Sequence, residues 1–372
     1  MAGLPEGSLA AAPRLGYIDS LRGFAAVYVV VFHMSRVPKP APPVPGWLQT
    51  FVDFGGSGVT LFFVISGFSM CLTWDSHVRT GSPLRSFYVT RFFRIAPLLY
   101  FWLPLYLLRD FAFKGAAGVH SLAEVAANVL FVFNVHEPFQ DGIVWASWTI
   151  GVEMMFYAIF PLIARYAATL ARSTLLMLGA TWVVVALGPA SGDTPAGSTL
   201  HALTTGHGFL TSLPSFLVGT VVYHLVHRDN FPSDRRERKA FGYFLLLGSI
   251  AGLAAIAMNA WSYFLCPICY GGVLIACSMI GPTMWLGRAT RHIGQISYSL
   301  YLNHPNLVYA LGPVFMGIYG MGAGLTPSFL ACMVLTFLIL VPMSNLTFRL
   351  VEKPMMIAGK KWATPSARLR PS

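Results

Sequence analysis

Long apolar runs recur along this chain from Tyr17 almost to its C-terminus, broken by short basic connectors. That pattern leaves few folds open. A soluble protein has nowhere to hide so much apolar surface, whereas a bilayer accepts it, at about 20 apolar residues per helical span. Composition agrees. Of 372 residues, 55% are hydrophobic and 10% charged, against about 25% charged in soluble domains. Mean hydropathy is +0.63. Aromatic residues, at 14%, suit interfacial belts and a bundle core.

Eleven apolar segments can be marked: 17–35, 57–74, 93–108, 121–134, 145–166, 173–189, 208–227, 240–257, 262–283, 293–318 and 325–349. The fourth is short and flanked by His120, Glu124, His136, Glu137 and Asp141. Charge decides whether it crosses. One basic connector holds Arg79, Arg85, Arg91 and Arg94; the next holds Arg228, Arg235, Arg236, Arg238 and Lys239. The tail holds Arg349, Lys353, Lys360, Lys361, Arg368 and Arg370. The positive-inside rule puts all three in the cytoplasm. An even number of spans must then separate Arg94 from Arg228, which is met only if 121–134 does not cross. The expectation is an all-α, polytopic membrane helix bundle of about ten transmembrane helices, plus a short re-entrant or interfacial helix at 121–134. Both termini are cytoplasmic. Residues 1–14 read as a flexible N-terminus, 15–356 as the membrane domain and 357–372 as a flexible tail.

The net charge of +11 follows from these topogenic residues, so no nucleic-acid partner is expected; the partner implied by composition is membrane lipid. The first apolar run carries Asp19 and Arg22 and has no small-residue cleavage site after it, so a cleavable signal peptide is not expected. Cys266 and Cys269 form a lone CPIC with no second pair or nearby histidine, and the five cysteines (Cys71, Cys266, Cys269, Cys277, Cys332) read as apolar residues. No metal site is expected.

Ionisable groups inside a span are functional candidates by default. Arg22 and His33 are eleven residues apart on the first helix, three turns, so they share a face with a rise of roughly 16 Å. An arginine near the inner leaflet can hold a phosphate; a neutral histidine can serve as general base. The blander alternative is an Asp19–Arg22 ion pair at the membrane edge with His33 among headgroups. Arg91 and Arg94 put two guanidiniums three residues apart before an apolar run, which suits a multiply phosphorylated ligand or, equally, lipid headgroups. Glu153 lies within a span and needs a partner, either a catalytic histidine or an arginine of a neighbouring helix. His304 is followed by Pro305, which frees a backbone carbonyl. It either lines a polar cavity or is a core histidine bonded to a neighbour. The stretch GGSGVTLFFVISGF (55–68) permits close helix packing.

Six motifs in order carry a resemblance: YIDSLRGFAAVYVVVFH (17–33), GVTLFFVISGF (58–68), RFFRIAPLLYFW (91–102), WTIGVEMMFYAIFPLI (148–163), ISYSLYLNHPNLV (296–308) and VEKPM (351–355). With them the chain resembles the acyltransferase family 3 membrane proteins from about Tyr17 to Pro354. The resemblance implies that His33 is the catalytic histidine of an Arg-x10-His motif. It implies that Arg22, Arg91 and Arg94 bind the donor, and that Glu153 and His304 lie in or near the central site. The implied donor is acyl-CoA, acetyl-CoA by family default, reaching the protein from the cytoplasm. The implied acceptor is a hydroxyl of a surface polysaccharide, lipopolysaccharide or glycolipid sugar, and the implied location is a bacterial inner membrane. No fused esterase-like domain is expected. A homo-oligomer or a separate extracytoplasmic partner is left open. Two departures bear on the acceptor: Ser212 and Ser215 stand where the family often carries arginine and an acid, and methionines follow Glu153 where a second acid is common. A transporter of an anionic solute and a non-catalytic membrane sensor are the rival readings.

Overall fold

The computed structural model describes residues 15–191, 199–204, 206–227, 231–258, 260–281 and 287–363. The expectations for residues 1–14, for Arg228 and for the chain beyond Ala363 lie outside them. The helices in chain order are α1 (Gly16–Met34), α2 (Gly46–Asp53), α3 (Gly58–Val78), α4 (Pro83–Lys114), α5 (Leu122–Val129), α6 (Trp148–Tyr166), α7 (Leu170–Ser191) and α8 (Thr199–Thr204). There follow α9 (Phe209–Val226), α10 (Arg235–Met258), α11 (Cys266–Ile280), α12 (Arg288–Gln295), α13 (Ser297–Ala310), α14 (Gly312–Gly320), α15 (Leu325–Thr347) and α16 (Lys353–Ala363).

Among the described residues, eight helical stretches are long and apolar enough to cross a membrane. The other two expected spans fall on α1, which carries Asp19 and Arg22, and on α13 and α14, which meet at Leu311. The bundle is therefore the all-helical one that the hydropathy pattern called for.

Segment 121–134 holds only the eight-residue α5, too short to span. Ser121 caps it by accepting from the Glu124 amide, the pairing expected where serine precedes glutamate by three. Its far end is docked on α4 by a hydrogen bond from the Tyr100 hydroxyl to the Val129 carbonyl, 2.6 Å. The chain then reverses through Phe131, a buried residue at φ 59°. Asn128 Oδ1 accepts from the Ile143 amide, and Asn134 donates to the Trp148 carbonyl. These bonds hold the return strand of the reversal against the start of α6.

The glycine-rich stretch at 55–68 does what its composition allows. A Cβ on Gly58 would stand 2.8 Å from the Ala25 carbonyl oxygen of α1. On the other side, a Cβ on Gly67 would overlap the Phe216 carbonyl, and one on Gly219 the Val64 carbonyl. Helices α3 and α9 thus touch backbone to backbone, as small residues permit in lipid. Gly219→Val is expected to cost roughly 3 kcal/mol or more through overpacking. A thermal melt in detergent would check it; an unchanged midpoint would mean that the crossing has slack.

Residues 357–363 continue α16, which lies along α4. Gly359 packs on the Phe93 side chain, and Arg85 Nη2 donates to the Trp362 carbonyl at 3.2 Å. A helix this short and polar is legible only through its partner.

Candidate active site

Five helices line a central cavity of about 50 Å³, room for a few waters. Its floor, toward the end of the bundle that carries the basic connectors, is formed by Arg22 of α1, Arg94 of α4, Glu153 of α6 and Ser297 of α13. Its roof is formed by Phe62, Phe63, Thr149 and Tyr301. Thr149 donates to the Tyr301 hydroxyl at 3.1 Å, which ties α6 to α13.

At the floor, Glu153 Oε1 accepts from Ser66 at 2.8 Å and from the Tyr157 hydroxyl at 2.5 Å. Arg22 and Arg91 lie within its electrostatic reach, and Arg94 lines the same cavity. The hydrogen-bond partners of Glu153 are thus Ser66 and Tyr157, with arginines of neighbouring helices near enough to act through space. Arg22 and Arg94 enter the cavity together, although they come from different motifs. Arg91 does not line it. Its Nη2 donates to Thr73 at 3.0 Å, and its guanidinium sits over the rings of Phe87 and Tyr157 at 5.7 and 5.5 Å. Instead it reaches a second cavity, bounded by Leu130, Met154 and Tyr157. The two guanidiniums of RFFR therefore line different cavities, with Arg91 held by Thr73 and two rings.

Beyond the roof stand the histidines. His33 comes from the far end of α1 and His304 from α13, and their rings lie 4.8 Å apart. His304 is fully buried; His33 is partly exposed. Pro305 has no amide hydrogen, so the Tyr301 carbonyl four residues back lacks a helical donor. His304 Nδ1 supplies one, at 2.6 Å. A carbonyl only accepts, so Nδ1 carries the proton, and neutral His304 presents the lone pair of Nε2. That nitrogen lies 3.2 Å from His33 Nδ1, which also lies 2.9 Å from the Val29 carbonyl. Both neighbours of His33 Nδ1 are acceptors, so the proton of neutral His33 sits on Nδ1 and its Nε2 is left basic. The bland reading of His304 as a core histidine bonded to a neighbour is met literally, and the neighbour is the other candidate.

Sequence reasoning passed over one carboxylate. Glu352 is 2% exposed and accepts from Ser299 Oγ at 2.9 Å. It lies within the electrostatic reach of Arg94 and Arg22. It ends a π-helical turn, Phe348–Glu352, a distortion frequent at functional sites. The signal was present in VEKPM, but a glutamate beside a lysine at the end of a span reads as a connector. The CPIC cysteines belong to the apolar packing: Cys266 is buried among Leu274, Tyr270 and Val218, and all five cysteines are free.

Comparison with known proteins follows the same lines. A family model described as an acyltransferase domain matches residues 15–344. A protein of Komagataeibacter xylinus with the provisional name membrane-bound transacylase BcsY is 27% identical, over 82% of this chain and 75% of its own. The peptidoglycan O-acetyltransferase OatA of Listeria monocytogenes is 23% identical over 80% of this chain, which spans half the length of that relative. Nodulation protein 10 of Rhizobium leguminosarum is 31% identical over 39% of this chain and 43% of its own. No solved structure matches.

Proposed function

The chain belongs to this acyltransferase family, and on that premise we propose that it carries an acyl group, acetyl in the first instance, from cytoplasmic acyl-CoA to a hydroxyl of an extracytoplasmic sugar. The observation that carries the reading is one cavity with two arginines at its floor and, just past its roof, a histidine whose Nε2 is free to accept a proton. The family and the names of the relatives support O-acylation at a membrane. The basic connectors support a cytoplasmic floor by the positive-inside rule. The acceptor is then a sugar of a surface polysaccharide, lipopolysaccharide or glycolipid, met on the opposite side.

In this reading the donor's arm reaches the cavity from the cytoplasmic side past Arg94 and Arg22, and only its thioester end enters, toward the roof. Arg91 braces the floor through Thr73 and Tyr157 and acts as a positioning residue. His33 Nε2 takes the proton of the acceptor hydroxyl as its oxygen forms a bond to the thioester carbonyl carbon. The C–S bond then breaks, and the proton passes from His33 to the departing CoA thiolate. His304 Nε2 is a second acceptor for the Nδ1 proton of His33. That bond becomes charge-assisted only when His33 is protonated, so it stabilises the transition state more than the ground state. Direct transfer leaves no acylated enzyme; trapping one without acceptor would replace it by a relay on His33.

The test is CoA release by purified protein from acetyl-CoA, with and without surface-glycan fragments. Release that depends on the glycan supports the reading; glycan movement or solute flux without thioester cleavage overturns it. In the same assay Arg94→Ala is expected to raise the KM for acetyl-CoA by roughly ten- to a hundredfold, the worth of a hydrogen bond to a charged group. The same KM in the variant would remove Arg94 from the donor site.

A further inference from the structure

On its Phe63 side the roof of the central cavity is braced from behind. Phe63 is stacked on Phe216, with centroids 4.5 Å apart and planes 25° apart, and Phe216 is stacked on Phe156 at 4.1 Å and 17°. Phe216 and Phe156 are fully buried. The ring of Trp148 meets Phe63 edge-on at 6.4 Å. Retreat of Phe63 would require α3 and α9 to part or slide. Those helices are locked one turn below, where Gly67 meets the Phe216 carbonyl and Gly219 meets the Val64 carbonyl. Across the cavity the Thr149–Tyr301 bond holds α6 to α13. The enclosure is about 50 Å³, whereas pockets for larger ligands run to several hundred Å³.

We propose that Phe63, clamped by Phe216, is the residue that sets donor chain length and restricts the acyl group to acetyl or propionyl size. The inference rests on the reading of this cavity as the donor site. Substrate orientation supplies the rest of the argument. With the donor's arm entering from the side of Arg94 and Arg22, only the thioester and acyl group occupy the cavity, and the acyl tail meets the Phe63 face. A longer tail must displace a ring stacked on buried neighbours, in an interior packed like a crystal.

Non-reactive thioethers of CoA test this without knowledge of the acceptor. Binding of S-ethyl-, S-butyl- and S-hexyl-CoA to the detergent-solubilised full chain would be measured beside Phe63→Ala and the milder Phe63→Leu. Wild type is expected to bind S-hexyl-CoA at least about tenfold more weakly than S-ethyl-CoA, since one methylene too many already counts for that much in a fixed pocket. The variants are expected to close most of that gap, alanine more than leucine. Equal binding of the two thioethers to wild type would overturn the proposal, as would an unchanged ratio in either folded variant. A wild type that binds no CoA thioether at all would overturn the donor-site reading itself. That result is distinguishable, because loss of the gate alone leaves S-ethyl-CoA binding in place.

Discussion

His33→Ala is expected to lower glycan-dependent CoA release by about 10²–10⁴-fold, the usual contribution of a general base, with little change in the KM for acetyl-CoA. The split follows from position. His33 lies beyond the roof of the cavity, while the arginines that hold the donor lie at its floor. His304 separates a base from a mere core residue. His304→Leu keeps bulk but removes the acceptor at 3.2 Å from His33 Nδ1. The Val29 carbonyl still fixes the tautomer of His33, so the base survives but loses the bond that strengthens as it takes up charge. The expected result is a fall in kcat of roughly ten- to a hundredfold with the donor KM unchanged, the size of a charged hydrogen bond. His304→Gln places an amide oxygen near the lost nitrogen and is expected to recover part of that fall. Loss of donor binding in His304→Leu, or no difference between leucine and glutamine, would reduce His304 to packing.

Much of this was legible from one dimension because lipid is a strict solvent. Apolar runs of sufficient length must be helices there, and the parity of the basic connectors was enough to keep 121–134 from counting as a span. Spacing also did its work within a helix: eleven residues put Arg22 and His33 on one face of α1, and Arg22 lines the central cavity. Pro305 announced a free carbonyl, though not that His304 would take it. What spacing could not show is contact between distant segments. His33 and His304 are 271 residues apart, and nothing in either motif names the other. The same limit hid the sorting of Arg91 from Arg94. Their neighbours in sequence are nearly alike; the difference lies in Thr73, Phe87 and Tyr157, which belong to three turns of three helices. Glu352 stayed hidden for the opposite reason, since its local sequence points to the surface while the π-turn buries it.

Glu153→Leu is expected to prevent accumulation of folded protein, and the reason is the charge balance of the floor. Arg22 and Arg91 lie within reach of Glu153, and Arg22 and Arg94 within reach of Glu352, so three guanidiniums share two carboxyl groups. Removal of one carboxylate leaves buried guanidiniums without compensation, which costs about 3–5 kcal/mol when a buried pair is broken this way. Glu153→Gln separates charge from hydrogen bonding. Its amide oxygen can still accept from Ser66 and Tyr157, which now bond Oε1, so the shape of the floor is kept while its charge rises. That variant is expected to fold with a lowered melting midpoint, and to bind CoA about tenfold more tightly, an effect of order 1–2 kcal/mol for one unit charge at the effective dielectric of such sites. Tighter binding of donor and product alike lowers turnover, because CoA leaves more slowly. Adding Arg91→Met to Glu153→Gln restores the original balance of charge and is expected to return the melting midpoint toward wild type. A double variant no more stable than the single one would mean that Glu153 acts through Ser66 and Tyr157 alone, and that the arginines do not depend on its charge.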